Sequence, residues 1–168
     1  QNKTPRLLVL VNGRQVFQDY YGFTDWDVIP VQLDEIRQIE IVKGPNTALF
    51  GFNAVGGVVN IITFNPLYTE TNTLRGGVDF NDGVRGSGVA TFRPFENTAI
   101  RMSAGGQQAQ EFEDLPFELR GDPQNEQWAF AAEAGIQATS NTQVFLEGTV
   151  SSSIRMERLP SGANIVRD

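Results

Sequence analysis

Neither cysteine nor histidine occurs anywhere in the 168 residues. Their absence excludes disulfide bonding, thiol and imidazole catalysis, and metal sites built on His or Cys ligands. Any chemistry left to the chain is non-covalent or carried by carboxylates. Positive charge is scarce as well: 13 Lys and Arg against 20 Asp and Glu leave a formal charge of −7. That balance argues against a nucleic-acid partner, which needs a concentrated positive surface. No apolar run approaches the roughly 20 residues of a membrane helix, and no charged-then-apolar leader opens the chain. The sequence QNKTPRLLVLVNG enters a strand almost at once, so the chain is expected to be a piece of a longer protein. No metal, cofactor or catalytic residue is expected.

Glycine and β-branched residues are abundant, and they concentrate in Val42 to Thr63, VKGPNTALFGFNAVGGVVNIIT. This stretch lacks the Lys-Ser/Thr ending of a phosphate loop and the spaced glycines of a dinucleotide loop. Gly44-Pro45 starts a turn, Asn46 is placed to cap a helical turn through Phe50, and Gly51 ends that turn at positive φ. Val55 to Ile62 reads as a β-branched strand, and Gly56 and Gly57 near its start allow tight backbone. Upstream, Leu7 to Val11 is an apolar run suited to a buried strand, and Asn12-Gly13 is a tight-turn signal before Arg14 to Phe17.

From Phe17 to Pro30 the pattern breaks into rings and carboxylates. Such a loop is either pinned down by its aromatics or built to touch a ligand. Leu33 to Ile36 forms a helical turn with acids near its start, and Gln38 to Val42 alternates as a strand. Asp34, Glu35, Arg37, Glu40 and Lys43 form a charge cluster, either a solvated surface or an interface.

KGPNTALFGFNAVGGVVNIIT, preceded by LLVLVNGRQVF and IPVQLDEIRQIEIV, resembles the C-terminal half of the plug domain of TonB-dependent outer-membrane transporters. The resemblance covers residues 6 to 65 by motif. The family usually has Asp-Gly in place of Asn12-Gly13, and Arg-Gly-Pro in place of Lys43-Gly44-Pro45; both departures keep turn geometry and charge. The resemblance implies that the segment after the first hairpin reaches the substrate-facing apex of the plug. Tyr20, Tyr21, Trp26, Asp19, Asp25 and Asp27 are then the ligand-contact candidates. It further implies that Arg37, Glu40 and Lys43 meet the inner barrel wall. Asn12, Gly13, Gly44, Pro45, Gly51, Gly56 and Gly57 shape backbone.

After Asn65-Pro66 the character changes, which divides the chain into residues 1–65, the half plug, and 66–168. The second part is a meander of antiparallel strands turning near Asp82, Glu96 and Asn141, with a long polar loop from Gln107 to Gln127. Ile100 and Met102 alternate with Arg101 and Ser103; Trp128, Phe130 and Ile136 oppose Glu133 and Gln137; Val144, Leu146 and Val150 oppose Glu147 and Thr149. A soluble sheet with one face on a core alternates in the same way. With the plug motif upstream, the meander is read as about five strands of a transmembrane β-barrel wall.

The expected fold class is α+β, mostly β: a partial plug followed by an antiparallel meander. The expected function is that of an outer-membrane active transporter in a Gram-negative bacterium, taking up a scarce small-molecule nutrient such as an iron chelate, vitamin or sugar. Its partner would be a TonB-type energy-coupling protein, gripped through a segment N-terminal to this chain. The alternatives are a soluble carbohydrate- or peptide-binding β domain that uses Tyr20, Tyr21 and Trp26, and a hydrolase with Asp25 and Asp27 as an acid pair, which lack a defined separation. An isolated open meander leaves unpaired edges and a bare apolar face, so the fragment alone is expected to self-associate.

Overall fold

The computed structural model describes residues 3–4, 7–16, 24–78, 83–110, 124–158 and 164–167. Three sheets account for the strands. The first is a short antiparallel pair of β1 (Lys3–Thr4) and β4 (Thr24–Asp25). The second has four strands: β2 (Leu7–Val11), β3 (Arg14–Gln15), β5 (Ile36–Lys43) and β6 (Gly57–Thr63), in the order β3-β2-β6-β5. The third is a six-stranded meander, β7 (Thr73–Val78), β8 (Val84–Phe95), β9 (Thr98–Gln110), β10 (Gln124–Thr139), β11 (Thr142–Arg158) and β12 (Asn164–Arg167).

In the four-stranded sheet β2 and β6 lie parallel, with Val9 opposite Val59 and Val11 opposite Ile61. Both are near-continuous apolar runs because both sheet faces are covered. Leu8, Leu10 and Val58 pack with Ala54 on one face. On the other, Val9, Val11, Val59 and Ile61 are covered by Trp26, Ile29, Val31 and Ile36. The chain thus uses residues 24–36 as a lid on its own core.

The Asn12-Gly13 turn forms as expected, at φ 49° and 79°, the left-handed pair that a two-residue hairpin requires. Asn12 also staples the sheet: its side chain donates to Thr63 Oγ1 at 2.9 Å and accepts from the Thr63 N–H at 2.9 Å. Gly57 begins β6 at φ 145°, and a Cβ there would stand 2.7 Å from the Val42 carbonyl oxygen. No other residue type fits without moving β5. The helical turn α1 (Thr47–Phe50) ends at Gly51, φ 83°. Asn46 departs from expectation, since its side chain donates to the Gly44 carbonyl at 2.9 Å and leaves the helical turn uncapped. The following strand starts at Gly57, not at Val55.

In the meander every described neighbour pair is antiparallel. The turns at Glu96-Asn97 and Ser140-Asn141 form, whereas the turn expected near Asp82 lies outside the described residues. The long loop expected from Gln107 to Gln127 is shorter than that. β9 runs on to Gln110 and β10 starts at Gln124, with Gln107 opposite Gln127, because ladder bonds are made by backbone and tolerate amide side chains. The meander holds six strands where about five were expected, and β10 and β11 reach 16 and 17 residues. A register shift separates Phe92 from Phe95, at Pro94, which has no N–H to give to the ladder.

The two faces of the meander differ sharply. One carries Leu74, Val78 and Leu146, at 90%, 81% and 76% exposure, together with Met102, Phe130 and Val150. The other turns Thr91, Arg101 and Ser103 inward, all buried: Thr91 bonds to Thr71 and Asn72, Arg101 reaches Thr63 at the end of β6, and Ser103 donates to Glu35.

Candidate functional site

The functional geometry lies where the two larger sheets meet. One cross-strand row of the meander runs Thr91, Arg101, Glu133, Glu147 over β8 to β11. Arg101 is its hub. Its guanidinium approaches Glu35 Oε2 at 3.2 Å, donates to Glu133, to Thr63 Oγ1 at 2.8 Å and to the Phe64 carbonyl. Glu35 also accepts from Ser103 Oγ at 3.0 Å and from the Gln32 N–H at 2.6 Å. The Gln32 bond comes from the 3-10 turn Leu33–Glu35, whose capping box aims the carboxylate at the meander. Burial pushes the Glu35 carboxyl above its ordinary value, and the Gln32 N–H, Arg101 and Ser103 offset this only in part.

Two further contacts flank the hub. Arg14, just past the first hairpin turn, pairs with Glu147 at 2.5 Å. Asp34 takes a two-pronged bond from Arg75, 2.6 Å from Nε, and a third from Thr73 Oγ1 at 3.1 Å. The Arg75 hydrogen bonds hold the Asp34 carboxyl below the usual carboxylate range. On the far side, Arg93 binds Glu70 at 2.8 Å and the Leu67 carbonyl at 2.8 Å.

Beyond the hub, toward the chain ends that lead into residues 111–123, two more rows line the inner face. They are Arg75, Ser87, Gly105, Ala129 and Gly77, Arg85, Gln107, Gln127. With Val31 to Leu33 they enclose a cleft of about 610 Å³. Gly105 makes room for the Gln32 amide, which lies where a Cβ would stand.

Comparison with known proteins places this arrangement. Residues 2–58 match the TonB-dependent Receptor Plug Domain. That stretch is a TonB-dependent receptor plug segment, and the chain is similar to the TonB-dependent receptors. Vitamin B12 transporter BtuB of Vibrio vulnificus is 32% identical over 101 residues, covering 60% of this chain and 16% of that protein. The Photobacterium profundum protein of the same name is 39% identical over 72 residues, 42% of this chain and 12% of that protein. The chain therefore spans less than a fifth of these relatives. The crystal structure of a mutant ferric enterobactin receptor from Pseudomonas aeruginosa, in complex with enterobactin, superposes with a TM-score of 0.64 at 21% identity. It covers 89% of this chain and 25% of that one, a likeness of fold.

Within this receptor segment the sequence-derived candidates separate. Asp19, Tyr20 and Tyr21 lie outside the described residues. Asp25 sits in β4 and Asp27 in the 3-10 turn Trp26–Val28. Trp26 packs half-buried on the Val9, Val11, Val59, Ile61 cluster. Asn12 and Gly13 hold the hairpin tip, and the Gly13 N–H donates to Asn60 Oδ1 at 3.1 Å. Gly44, Pro45, Gly51, Gly56 and Gly57 punctuate the chain around α1.

Arg37, Glu40 and Lys43 lie exposed on β5, the edge of its sheet. Glu40 accepts from Gln38 at 2.6 Å and Asn60 at 3.3 Å, and Arg37 donates to Gln38 at 3.4 Å, all within that sheet. Among the described residues the ion pairs to the meander use Arg14, Asp34 and Glu35 instead. Arg101, Glu133 and Arg85 were not singled out from sequence; the one available signal was their place on the polar face of alternating strands.

Proposed function

We propose that residues 1–65 are the C-terminal half of a plug and residues 66–168 the first strands of a barrel wall, within an energy-coupled outer-membrane transporter for a scarce small-molecule nutrient. The observation that carries this reading is the contrast between the meander's two faces. The inward face is clasped to the plug sheet by buried charge, while the outward face presents Leu74, Met102, Phe130, Leu146 and Val150 uncovered. A soluble binding domain would leave those apolar side chains in water, whereas a bilayer solvates them. The vitamin B12 transporters and the enterobactin receptor among the relatives support a nutrient carrier over an enzyme.

In this reading the polar clasp seals the lumen until the inner-membrane partner pulls on a plug segment N-terminal to the chain. The partner is a TonB-type coupling protein, and the host is a Gram-negative bacterium. The test is uptake by cells of a strain stripped of its own receptors, expressing the complete receptor that contains this chain. Labelled cobalamin, ferric chelates and oligosaccharides would be offered with and without a proton uncoupler. Accumulation abolished by the uncoupler is the expected result. Recovery of the complete protein in the soluble fraction, without accumulation, would refute it.

A further inference from the structure

Among the described residues, the cleft between Val31–Leu33 and the meander carries an unbalanced charge. Arg14, Arg75, Arg93 and Arg101 each meet a carboxylate. Arg85, in the middle of the Gly77, Arg85, Gln107, Gln127 row, meets none among the described residues. Its side chain lies along Gly77, where a Cβ would stand 3.2 Å from Nε. This glycine leaves the guanidinium room beside the sheet surface. Arg75, the other cation lining the cleft, is already neutralised by Asp34. Among the described residues, what remains is one planar, two-pronged donor without a carboxylate, with the amides of Gln32, Gln107 and Gln127 and the Ser87 hydroxyl on the same walls.

An arginine of this kind matches the paired oxygens of a carboxylate or phosphate, and amides and hydroxyls satisfy the remaining oxygens without adding charge. A cleft of about 610 Å³ falls within the ordinary range for small-ligand sites. The geometry points to Arg85 as the residue that selects an anionic, oxygen-rich small ligand, bound against the inner wall between Gln32 and Gln107. The inference rests on the transporter reading above and narrows its substrate class: the cleft favours ligands carrying carboxylate or phosphate oxygens over neutral ones.

The test uses the complete receptor in detergent, titrated calorimetrically with citrate, with inorganic phosphate and with sucrose as the uncharged control. Citrate or phosphate is expected to bind, more weakly as salt is raised, and sucrose is not. Arg85→Gln should weaken anion binding about tenfold or more, the loss of one charged hydrogen-bond pair. Arg85→Lys should restore part of it, and Arg37→Gln, on the exposed edge of the plug sheet, should leave it unchanged. Carboxylate and phosphate sources are separated by which probe binds. Binding equal in wild type and Arg85→Gln, or failure of both anions to bind, overturns the inference. Uptake with and without uncoupler keeps the two readings apart. Arg85-dependent binding without energised uptake removes the transporter and leaves the cleft; energised uptake indifferent to Arg85→Gln does the reverse.

Discussion

Replacing Arg101 with methionine keeps much of the side chain's volume while removing the cation that two buried carboxylates share. The Arg101 side chain is 5% exposed, Glu35 3% and Glu133 14%, so water cannot take over the lost bonds. Removing one partner of a buried ion pair costs about 3–5 kcal/mol, against at most about 1 for a surface pair. The depth of the cluster puts Arg101→Met in the first class. Thr63 Oγ1 and the Phe64 carbonyl lose a donor in the same step.

The penalty depends on pH in a defined direction. Folding raises the Glu35 carboxyl above its ordinary value of 4.5. A carboxyl raised in this way favours the folded state below its unfolded value, and that contribution is lost as pH rises through the folded value. Without Arg101 the carboxyl rises further, so the variant's deficit should be smallest near that ordinary value and widen above it. The assay is urea unfolding of the complete receptor in detergent, at about pH 5 and about pH 8. A wild-type midpoint at the higher pH, or a deficit that grows on acidification, would refute the reasoning. Arg101→Met combined with Glu35→Gln and Glu133→Gln should recover most of the loss, since no uncompensated charge is then left buried.

Asn12→Ala should lower stability by about 1–3 kcal/mol, because it removes both bonds to Thr63 and puts a Cβ-bearing residue without a local hydrogen bond at positive φ. Asn12→Asp should lose less, since Asp still accepts from the Thr63 N–H; the urea midpoint distinguishes them. Gly57→Ala should destabilise by about 2 kcal/mol or more, through the clash with the Val42 carbonyl and the backbone angle together, read as loss of the thermal transition of the plug. Trp26→Ala should cost about 2–4 kcal/mol of plug stability through lost packing. Tyr20→Ala with Tyr21→Ala should leave the melting temperature in place and weaken ligand binding in calorimetry; unchanged binding would make that loop a clasp alone.

The strand pattern was legible because alternation and turn chemistry are local. Asn12-Gly13, Gly51 and the two short meander turns each announce themselves within a few residues. The clasp was not legible in the same way, since it joins residues far apart in sequence. Counting from the turns misplaces it by one residue: from Ser140-Asn141, Glu133 would fall opposite Gly148, and from Glu96-Asn97, Arg101 would fall opposite Phe92, but register shifts beside both turns bring Glu133 to Glu147 and Arg101 to Thr91. That Glu35 would enter the same row depends on how one sheet sits on another, which no local pattern encodes. Polar composition predicts a loop at Gln107 and Gln127, yet their backbones pair across the ladder. Trp26, a ligand-contact candidate by its place in the aromatic loop, packs half-buried on a core cluster, a contact between segments that local composition does not encode.

The parallel pairing of β2 with β6 bears on the order in which this chain can assemble. Each meander strand finds its partner in the next stretch of chain, so those hairpins can close soon after they emerge. β2 cannot: its neighbour is β6, on the far side of the lid segment, β5 and α1. Until Gly57 to Thr63 arrives, the stretch LLVLV has only the two residues of β3 beside it. It is then a short, sticky, apolar strand with one open side, the kind of segment through which nascent chains aggregate. Among the described residues the most buried strand is therefore also the most vulnerable one in transit, and a holding chaperone would have most to gain by gripping residues 7 to 11.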